Sequence, residues 1–335
     1  MKTNFKKFNI ERIIRPVQKQ LFALLKTTYK ENLQAYQPDK YILVQGEAPI
    51  LLIAHLDTVH QTPVKTICYS KNGNILMSPE GIGGDDRCGV YALTEIYRRS
   101  KVKPWLLFTC DEEIGGDGAE QFADDFEKNL FKNILPNIKL IIEIDRKGNK
   151  DAVYYSCDCP ELETYIATKG YKTEFGSFSD ISIIAPVMEV AAVNLSSGYY
   201  NPHQSHEYIN LKELERTIQA VINITKESNS NDFPVYKYKE KPYKSIKLFN
   251  YPYGIHTVNW REDNGITEIE TPPKDLPEPL NFAYSYLLDI YTKDELESMR
   301  SEFGDKIIEE LYNDESSYET NLNSYYQQEQ DKCKI

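Results

Sequence analysis

Five short segments of the sequence carry carboxylate or imidazole side chains that can bind metal ions. The first is His55-Leu56-Asp57, which directly follows an apolar run. Imidazole and carboxylate ligands suit zinc, cobalt or manganese, whereas a structural cysteine cage would need thiolates that these segments lack. The residue types therefore favour a catalytic site that holds a pair of metal ions. The other four segments are Gly84-Asp85-Asp86, Asp111-Glu112-Glu113, Glu143-Ile144-Asp145 and His203-Gln204-Ser205-His206-Glu207.

A paired metal site needs a ligand that both ions share and a base that stays unligated. A carboxylate can bridge two ions about 3.5 to 4 Å apart, and one member of the Asp85-Asp86 pair can serve. Of the adjacent Glu112 and Glu113, one can bind metal while the other acts as the general base for hydrolysis. Each segment alone also fits an ordinary loop, helix start or turn. A common position in the fold would favour the metal site over these separate explanations.

Strands and helices alternate along the sequence and would bring these segments together. Apolar runs predict strands that end at or just before His55, Glu112 and Asp145. Alternating strands and helices form a mostly parallel sheet, and the carboxyl ends of such strands meet at one edge, where α/β folds bind ligands. We therefore predict an α/β fold with a mostly parallel central sheet, helices on both faces and a C-terminal extension with short helices. The predicted strands are 41–44, 51–54, 105–110, 138–144 and 190–195, with a hairpin over 64–78, and the predicted helices are 16–34, 87–99, 118–133, 160–168 and 211–225.

The composition changes after residue 226, which indicates a domain boundary. The segment 234–280 is rich in Tyr, Lys and Pro and has no clear periodicity. A helical pattern returns over 282–312, where Thr292 and Glu295 have the spacing of a capping box. We predict a catalytic domain over 1–226, an irregular Tyr-Pro-rich linker over 227–280 and an acidic helical extension over 281–335.

The composition also argues against several classes of protein. A net charge of −12 over 335 residues argues against a nucleic-acid binder, which needs a basic surface. The sequence has no apolar stretch long enough to span a membrane and no secretory signal after Met1. The six cysteines are scattered rather than spaced as a disulfide framework, which is typical of a reducing compartment. We therefore expect a cytoplasmic protein without a nucleic-acid or membrane partner.

The order of these motifs resembles that of the co-catalytic zinc exopeptidases of clan MH. This superfamily includes di-zinc aminopeptidases, peptidase T and carboxypeptidase G type enzymes, and the resemblance covers about residues 40 to 225. Some members insert a second domain, but the intervals from His55 to Asp86 and from Asp145 to His203 are too short for one. The compact aminopeptidase-like branch is therefore the closest match. The region after residue 226 has no counterpart in the superfamily.

The resemblance implies a role for each residue at a matching position. Glu112 would be the general base, and Asp57 would orient the His55 ring, so these are the two predicted catalytic residues. Two divalent ions, zinc or alternatively cobalt or manganese, would have five protein ligands. His55 and Asp145 would bind the first ion, Glu113 and His203 the second, and Asp86 would bridge the two. His203 is preferred over His206 as the ligand. Glu207 would be the partner of His203.

The predicted reaction is hydrolysis of an amide bond. Glu112 would take a proton from a water molecule shared by the two ions, the water would attack the amide carbonyl, and Glu112 would give the proton to the leaving amine. Three residues are predicted to contact the substrate. They are Arg146, for a substrate carboxylate, Asp180, in a segment that resembles the superfamily's substrate cleft, and Tyr200 or its neighbour Tyr199, for an oxyanion.

Three functions compete as interpretations of the sequence. The leading hypothesis is a metallo-exopeptidase that removes N-terminal residues from peptides. A deacylase or other amidohydrolase acting on a small non-peptide molecule would use the same centre, because metal ligands define the reaction and not the substrate. The third is a non-catalytic metal-binding scaffold whose C-terminal extension recruits a protein partner. The presence of Glu112 argues against the scaffold, which has no need of an unligated base.

Overall fold

The computed structural model describes residues 9–60, 62–131, 135, 137–176 and 178–238, with scattered residues between 246 and 308. The chain forms two compact units, Met1–Pro242 and Tyr243–Ile335. All five segments with candidate ligands lie in the first unit. Within the second unit, Thr292 and Glu295 of the predicted capping box lie outside the described residues, as does most of the predicted helical segment 282–312.

Strands and helices alternate along the first unit, as the sequence predicts. The predicted helix over 16–34 is shorter in the structure because Leu33–Gln37 form a strand. The strands are β1 (Leu33–Gln37), β2 (Tyr41–Val44), β3 (Ile50–His55), β4 (Cys68–Tyr69), β5 (Ile75–Met77), β6 (Trp105–Thr109), β7 (Leu140–Arg146), β8 (Asp151–Val153), β9 (Lys172–Thr173), β10 (Ala192–Ser196), β11 (Tyr199–Tyr200) and β12 (Tyr208–Asn210), with β13 (Ile246–Lys247) and β14 (Thr257–Val258) in the second unit. The helices are α1 (Glu11–Ile14), α2 (Gln18–Thr28), α3 (Gly84–Arg99), α4 (Asp117–Glu127), α5 (Pro160–Ala167), α6 (Ile181–Met188) and α7 (Leu211–Ser228), and a single 3-10 turn spans Glu112–Ile114.

An eight-stranded sheet forms the centre of the first unit, in the order β1-β2-β6-β3-β7-β10-β8-β9. The four inner strands, β6, β3, β7 and β10, are parallel to one another, and β8 and β9 also pair in parallel. The pairs β1-β2, β2-β6 and β10-β8 are antiparallel. The predicted α/β class with a mostly parallel central sheet is therefore confirmed.

Helices cover both faces of this sheet. Alternate residues of a strand point to opposite faces, so Leu52 of β3 lies in one apolar core and Leu51 in the other. Helices α2, α3, α5 and α7 contribute to the first core, for example through Ile218, whereas α4 and α6 contribute Phe122 and Ile184 to the second. The inner strands are thus buried on both faces, which fixes the position of their carboxyl ends. Among the described residues, no helix combines the length and the apolar character needed to cross a membrane.

A second sheet, with the order β11-β12-β5-β4, carries the last of the five motifs. Strands β4 and β5 form the predicted hairpin, whose turn contains Gly73 with a positive φ of 71°. Strands β11 and β12 pair with each other and flank residues 201–207. The sequence did not predict these two strands, because they are too short to show a periodic pattern. It also missed α6, since Pro186 lies inside that helix.

Residues 227–238, predicted as the start of a linker, pack on the first unit. Phe233 and Tyr236 are buried in its core. The Tyr236 N–H donates a hydrogen bond to the Lys139 carbonyl, and the Ala191 N–H donates to the Tyr236 carbonyl. The first compact unit accordingly extends to Pro242. The assignment of the later segments as linker and partner-binding extension stays a prediction.

Candidate metal centre

The ends of three strands meet at one edge of the main sheet. His55 is the last residue of β3 and pairs with Thr109, the last residue of β6. Asp145 lies one residue before the end of β7, which is the other neighbour of β3. Glu112 and Glu113 begin the 3-10 turn that follows β6. The parallel order of the sheet therefore brings three of the five segments to one place, as expected from the sequence.

One carboxylate, that of Asp85, lies between the two imidazole rings of this centre. Its Oδ1 is 3.2 Å from His55 Nε2, and its Oδ2 is 3.2 Å from His203 Nε2. Glu113 Oε2 is also 3.2 Å from His203 Nε2, and Asp145 Oδ1 is 3.5 Å from His55 Nε2. The two imidazoles thus share one carboxylate, and each has another carboxylate beside it. His203, and not the competing His206, is the second imidazole beside Asp85 and Glu113.

Asp86, which the sequence predicts as the bridging ligand, does not lie between the imidazoles. Its Oδ1 accepts a hydrogen bond of 2.9 Å from a backbone N–H of α3, and its Oδ2 has no hydrogen-bond partner. Two groups of potential ligand atoms lie within 4.8 Å of one another, His55 with Asp85 and Glu113, and His55 with Asp86 and Asp145. The geometry places Asp85, and not the predicted Asp86, between the two imidazoles, and the role of Asp86 as a metal ligand stays a prediction.

Glu207 fixes the backbone of the residue that lies between the imidazoles. Its Oε1 accepts a hydrogen bond of 2.9 Å from the Asp85 N–H, and its Oε2 accepts one of 3.0 Å from the Gly83 N–H. His60 Nε2 lies 3.0 Å from the same Oε2. The sequence predicts Glu207 as the partner of His203, but in the structure its carboxylate contacts the backbone of the glycine loop. His60 was not singled out in the sequence, because no motif surrounds it.

Asp57 connects the His55 ring to the turn that carries the predicted base. Its Oδ1 lies 3.2 Å from His55 Nδ1 and accepts a hydrogen bond of 3.2 Å from the Glu112 N–H. Its Oδ2 accepts one of 3.0 Å from the Glu113 N–H. Burial alone would raise the pKa of Asp57, but the facing His55 ring and these hydrogen bonds hold that pKa below its usual value. A carboxylate on Nδ1 directs Nε2 toward the centre, so Asp57 is positioned to orient the ring.

The carboxylate of Glu112, the predicted base, faces the same space. Its Oε2 is 4.0 Å from His55 Nε2. Burial raises the pKa of Glu112, the His55 ring lowers it, and nearby carboxylates such as that of Asp180 raise it further. The resulting pKa is about 8. A carboxyl group whose pKa is raised toward neutral pH is suited to accept and donate protons.

The centre concentrates buried carboxylates in a way that fits divalent cations. Burial and the carboxylates of Asp85 and Asp86 raise the pKa of Asp145 well above its usual value. Hydrogen bonds with Asp85 and Glu113 raise the pKa of His203 to about 10. Glu113 Oε1 is buried and accepts no hydrogen bond. Because buried charge without a partner is costly and a bound cation would compensate it, this set of oxygen and nitrogen donors fits a metal site.

Tyr200 and Arg146, two residues predicted to contact the substrate, each lie beside a carboxylate of the protein. The Tyr200 hydroxyl donates a hydrogen bond of 2.6 Å to Glu213 Oε2, and its ring stacks on Tyr208 with 4.9 Å between centroids. Arg146 Nε lies 3.9 Å from Asp151 Oδ2. The structure therefore does not place Tyr200 as an oxyanion donor. Because Arg146 Nε is buried without a hydrogen-bond partner, the contact of Arg146 with a substrate carboxylate stays a prediction.

Asp180, the third residue predicted to contact the substrate, directly precedes α6. Its side chain is fully buried and accepts a hydrogen bond from the Thr109 hydroxyl. Burial raises the pKa of Asp180 itself to about 6. The carboxylate of Asp180 contributes to the raised pKa of Glu112, and its contact with a substrate stays a prediction.

A buried polar network, which the sequence does not predict, lies behind Asp145. Asn194 Oδ1 accepts a hydrogen bond of 2.8 Å from the Asp145 N–H, which fixes the backbone of that ligand. Asn194 Nδ2 donates a hydrogen bond of 3.1 Å to Ser179 Oγ, and the Ser179 hydroxyl donates to the fully buried Glu143. The feature of the sequence that could have indicated this network is the amide of Asn194 inside a largely apolar strand.

Comparisons with known proteins give similarity at the level of solved structures. No protein-family model and no curated protein matches the sequence. An aminopeptidase PepT from Bacillus cereus is similar with a TM-score of 0.49 and 14% identity, over 66% of this chain and 97% of that chain. A tripeptidase from Staphylococcus aureus has a TM-score of 0.48 and 14% identity, over 65% and 96% of the two chains. The TET1 peptidase of Pyrococcus horikoshii has a TM-score of 0.48 and 13% identity, over 64% and 98%. These are peptidases, as are the proteins that the motifs resemble, but at this identity and TM-score they carry no argument about the activity of this chain.

Proposed function

We propose that this protein is a metal-dependent hydrolase of amide bonds, and specifically an aminopeptidase. The observation that carries the proposal is the position of Asp85, whose two oxygens are each 3.2 Å from an imidazole Nε2, one of His55 and the other of His203. A carboxylate shared in this way matches the bridging ligand of a paired metal site. The assignment as an aminopeptidase rests on the ordered motifs that resemble clan MH exopeptidases, since metal ligands define the reaction and not the substrate.

Two divalent cations would be held by this set of side chains. His55, Asp85 and Asp145 would bind one of them, and His203, Asp85 and Glu113 would bind the other. Imidazole nitrogen combined with carboxylate oxygen suits zinc, with cobalt or manganese as alternatives. When bound, such a pair lowers the pKa of water and polarises an amide carbonyl.

Glu112 would move the proton during the reaction. Its Oε2, which is 4.0 Å from His55 Nε2, would accept a proton from the attacking water. The protonated carboxyl group would then give that proton to the nitrogen of the leaving amine as the C–N bond breaks. Asp57 would hold the base in place, because it accepts hydrogen bonds from the N–H groups of Glu112 and Glu113.

Substitution of Glu112 by glutamine tests this proposal. Glu112→Gln keeps the shape of the side chain but removes the proton acceptor, so we expect kcat to fall on the order of a hundredfold or more while the metal content stays unchanged. Metal content would be measured by mass spectrometry, and hydrolysis with a panel of aminoacyl and N-acyl substrates. Glu120→Gln, the same substitution at an exposed position of α4, is the matched control.

Each outcome of this experiment decides one part of the proposal. Full activity of the Glu112→Gln protein would contradict the role of Glu112. Absence of bound metal after reconstitution would contradict a metal-dependent hydrolase. Hydrolysis of N-acyl substrates without hydrolysis of aminoacyl substrates would replace the aminopeptidase by a deacylase that uses the same centre.

A further inference from the structure

A cavity of about 220 Å³ lies among three segments of the first unit. It is lined by the connection between α1 and α2, the loop that follows β3, and the glycine loop that leads into α3. Asp57 and His60, which support the candidate centre, line it, but the described lining residues include none of the proposed metal ligands. The cavity has room for about seven water molecules, or for an organic molecule of similar size, at a place separate from those ligands.

Arg87 brings a buried guanidinium group to this cavity. The side chain is 3% exposed and lines the cavity. A guanidinium has five N–H groups, but this one donates a single hydrogen bond to the described residues, of 3.3 Å from Nη1 to the Ile13 carbonyl. Its Nε is buried and has no hydrogen-bond partner. Most of the donors of Arg87 are therefore left for a group that enters the cavity.

The charge of Arg87 is only partly compensated by the protein. Burial lowers the pKa of Arg87 to about 10, although the carboxylates of Asp57 and Asp86 favour its charged form, so the group is positive at neutral pH. The oxygens of Asp57 accept hydrogen bonds from the turn after β6, and Asp86 Oδ1 accepts one from α3. A buried charge without a full set of partners is costly. An anion in the cavity would supply the missing acceptors.

The remaining walls of the cavity are largely apolar. Ile14, Val64 and Ile82 are buried apolar side chains that line it. The Thr58 hydroxyl, also in the lining, accepts a hydrogen bond of 3.0 Å from the His60 N–H, and its own proton can be donated to a ligand. Apolar walls with a few convergent polar groups are typical of a site for a small organic molecule.

These features favour a carboxylate over an inorganic anion. A carboxylate presents two oxygens that match two N–H groups of a guanidinium in parallel hydrogen bonds. Asp57 lines the same cavity and would repel a second negative charge, so a doubly charged phosphate fits less well than a single charge held at Arg87. A phosphate would also leave the apolar walls without a partner.

We propose that this cavity binds a small monocarboxylate with a short apolar chain, of the size of butyrate or valerate. The carboxylate oxygens would accept hydrogen bonds from the Arg87 guanidinium and the Thr58 hydroxyl. The chain would lie against Val64 and Ile82, where it removes apolar surface of both partners from water. This inference does not depend on the proposed function.

Titration calorimetry with a matched series of ligands tests this inference on the full-length, metal-loaded protein. The ligands are acetate, butyrate, valerate and the neutral amide butyramide. We expect the affinity to rise about fourfold for each added CH₂ group, and butyrate to bind about tenfold or more tightly than butyramide. Arg87→Met keeps an unbranched side chain and removes the charge, so it should abolish the preference for butyrate over butyramide. Arg216→Met, at an exposed arginine of α7, is the matched control and should leave both affinities unchanged.

A second variant leaves the guanidinium in place and fills the cavity instead. Val17 lines the cavity and is half-buried, so Val17→Phe should weaken the binding of valerate more than that of acetate. This variant decides the proposal even where Arg87→Met fails to fold.

Four outcomes would overturn the proposal. Equal affinity of the wild-type protein for butyrate and butyramide would show that Arg87 does not recognise the ligand. Binding of inorganic phosphate as tight as that of butyrate would contradict a site for a monocarboxylate. Binding that persists in both variants and disappears when metal ions are removed would place the carboxylate at the metal centre. Absence of binding by all three carboxylates would contradict the site altogether.

Discussion

The two imidazoles of the candidate centre are held by different kinds of structure. His55 is the last residue of β3 and is fully buried, with a parallel strand on each side. His203 lies in the turn between β11 and β12, has a positive φ of 63° and has a side chain that is 48% exposed. The main sheet positions the first imidazole, whereas a short loop positions the second.

This difference indicates that the two sides of the centre contribute unequally to folding. A buried strand residue cannot be removed without disturbing the core, but loops with few buried contacts open at a lower cost in free energy. We therefore expect the side of His55 to determine the stability of the protein. The side of His203 should determine access of substrate and exchange of metal.

The largest effect is expected from His55→Ala. The substitution leaves the carboxylates of Asp57 and Asp85 facing a cavity inside the fold, and loss of one partner of a buried charged group typically costs about 3 to 5 kcal/mol. We expect a decrease of that size in the free energy of unfolding of the metal-free protein, measured by urea denaturation, together with loss of bound metal. His206→Ala, at an exposed histidine, is the control and should change neither quantity.

An intermediate effect is expected from Glu207→Gln. The new amide group would face the N–H groups of Gly83 or Asp85 as a donor, and a buried donor without an acceptor costs about 1 to 3 kcal/mol. Because Asp85 would lose its support, metal affinity should fall about 10- to 100-fold, measured by competition with a chelating dye. Glu215→Gln, at an exposed residue of α7, should leave metal affinity unchanged. Unchanged affinity in Glu207→Gln would show that Glu207 does not support the shared ligand.

The smallest effect on stability is expected from His203→Ala. The side chain is 48% exposed, so water can take its place beside the carboxylates of Asp85 and Glu113. The free energy of unfolding of the metal-free protein, measured by urea denaturation, should therefore fall by clearly less than in His55→Ala. The same variant should still lose one of the two metal ions and most of its activity. A loss of stability as large as that of His55→Ala would remove the distinction between the two sides.

The sheet side of the centre could be predicted from the sequence because its signal is local. A parallel strand that is buried on both faces is a continuous apolar run, so the polar residue that ends such a run, His55 or Asp145, marks the edge of the sheet. The loop side lacks this signal. Asp85 and Asp86 are adjacent and identical in type, and the backbone of Asp85 is held by a hydrogen bond from its N–H to Glu207, at a sequence separation of 122.

The supporting residues were harder to predict than the ligands for the same reason. A side chain such as that of His60 or Asn194 contacts the centre through a hydrogen bond to a residue far away in sequence, and no spacing rule identifies the partner. Tyr200 lies in β11, a strand of two residues. This strand pairs with β12, which the sequence did not predict either. The contact of Tyr200 with Glu213 could therefore not be anticipated.

The two oxygens of Asp57 set a limit on the length of the loop that follows β6. The turn Glu112–Ile114 has three residues, too few to hold a defined position by itself. Its first two N–H groups donate hydrogen bonds to the two oxygens of Asp57. One residue inserted between Thr109 and Glu112 would shift both N–H groups out of register with the two oxygens. Natural variation in loop length should therefore be absent from this short stretch, even though surface loops usually accept insertions readily.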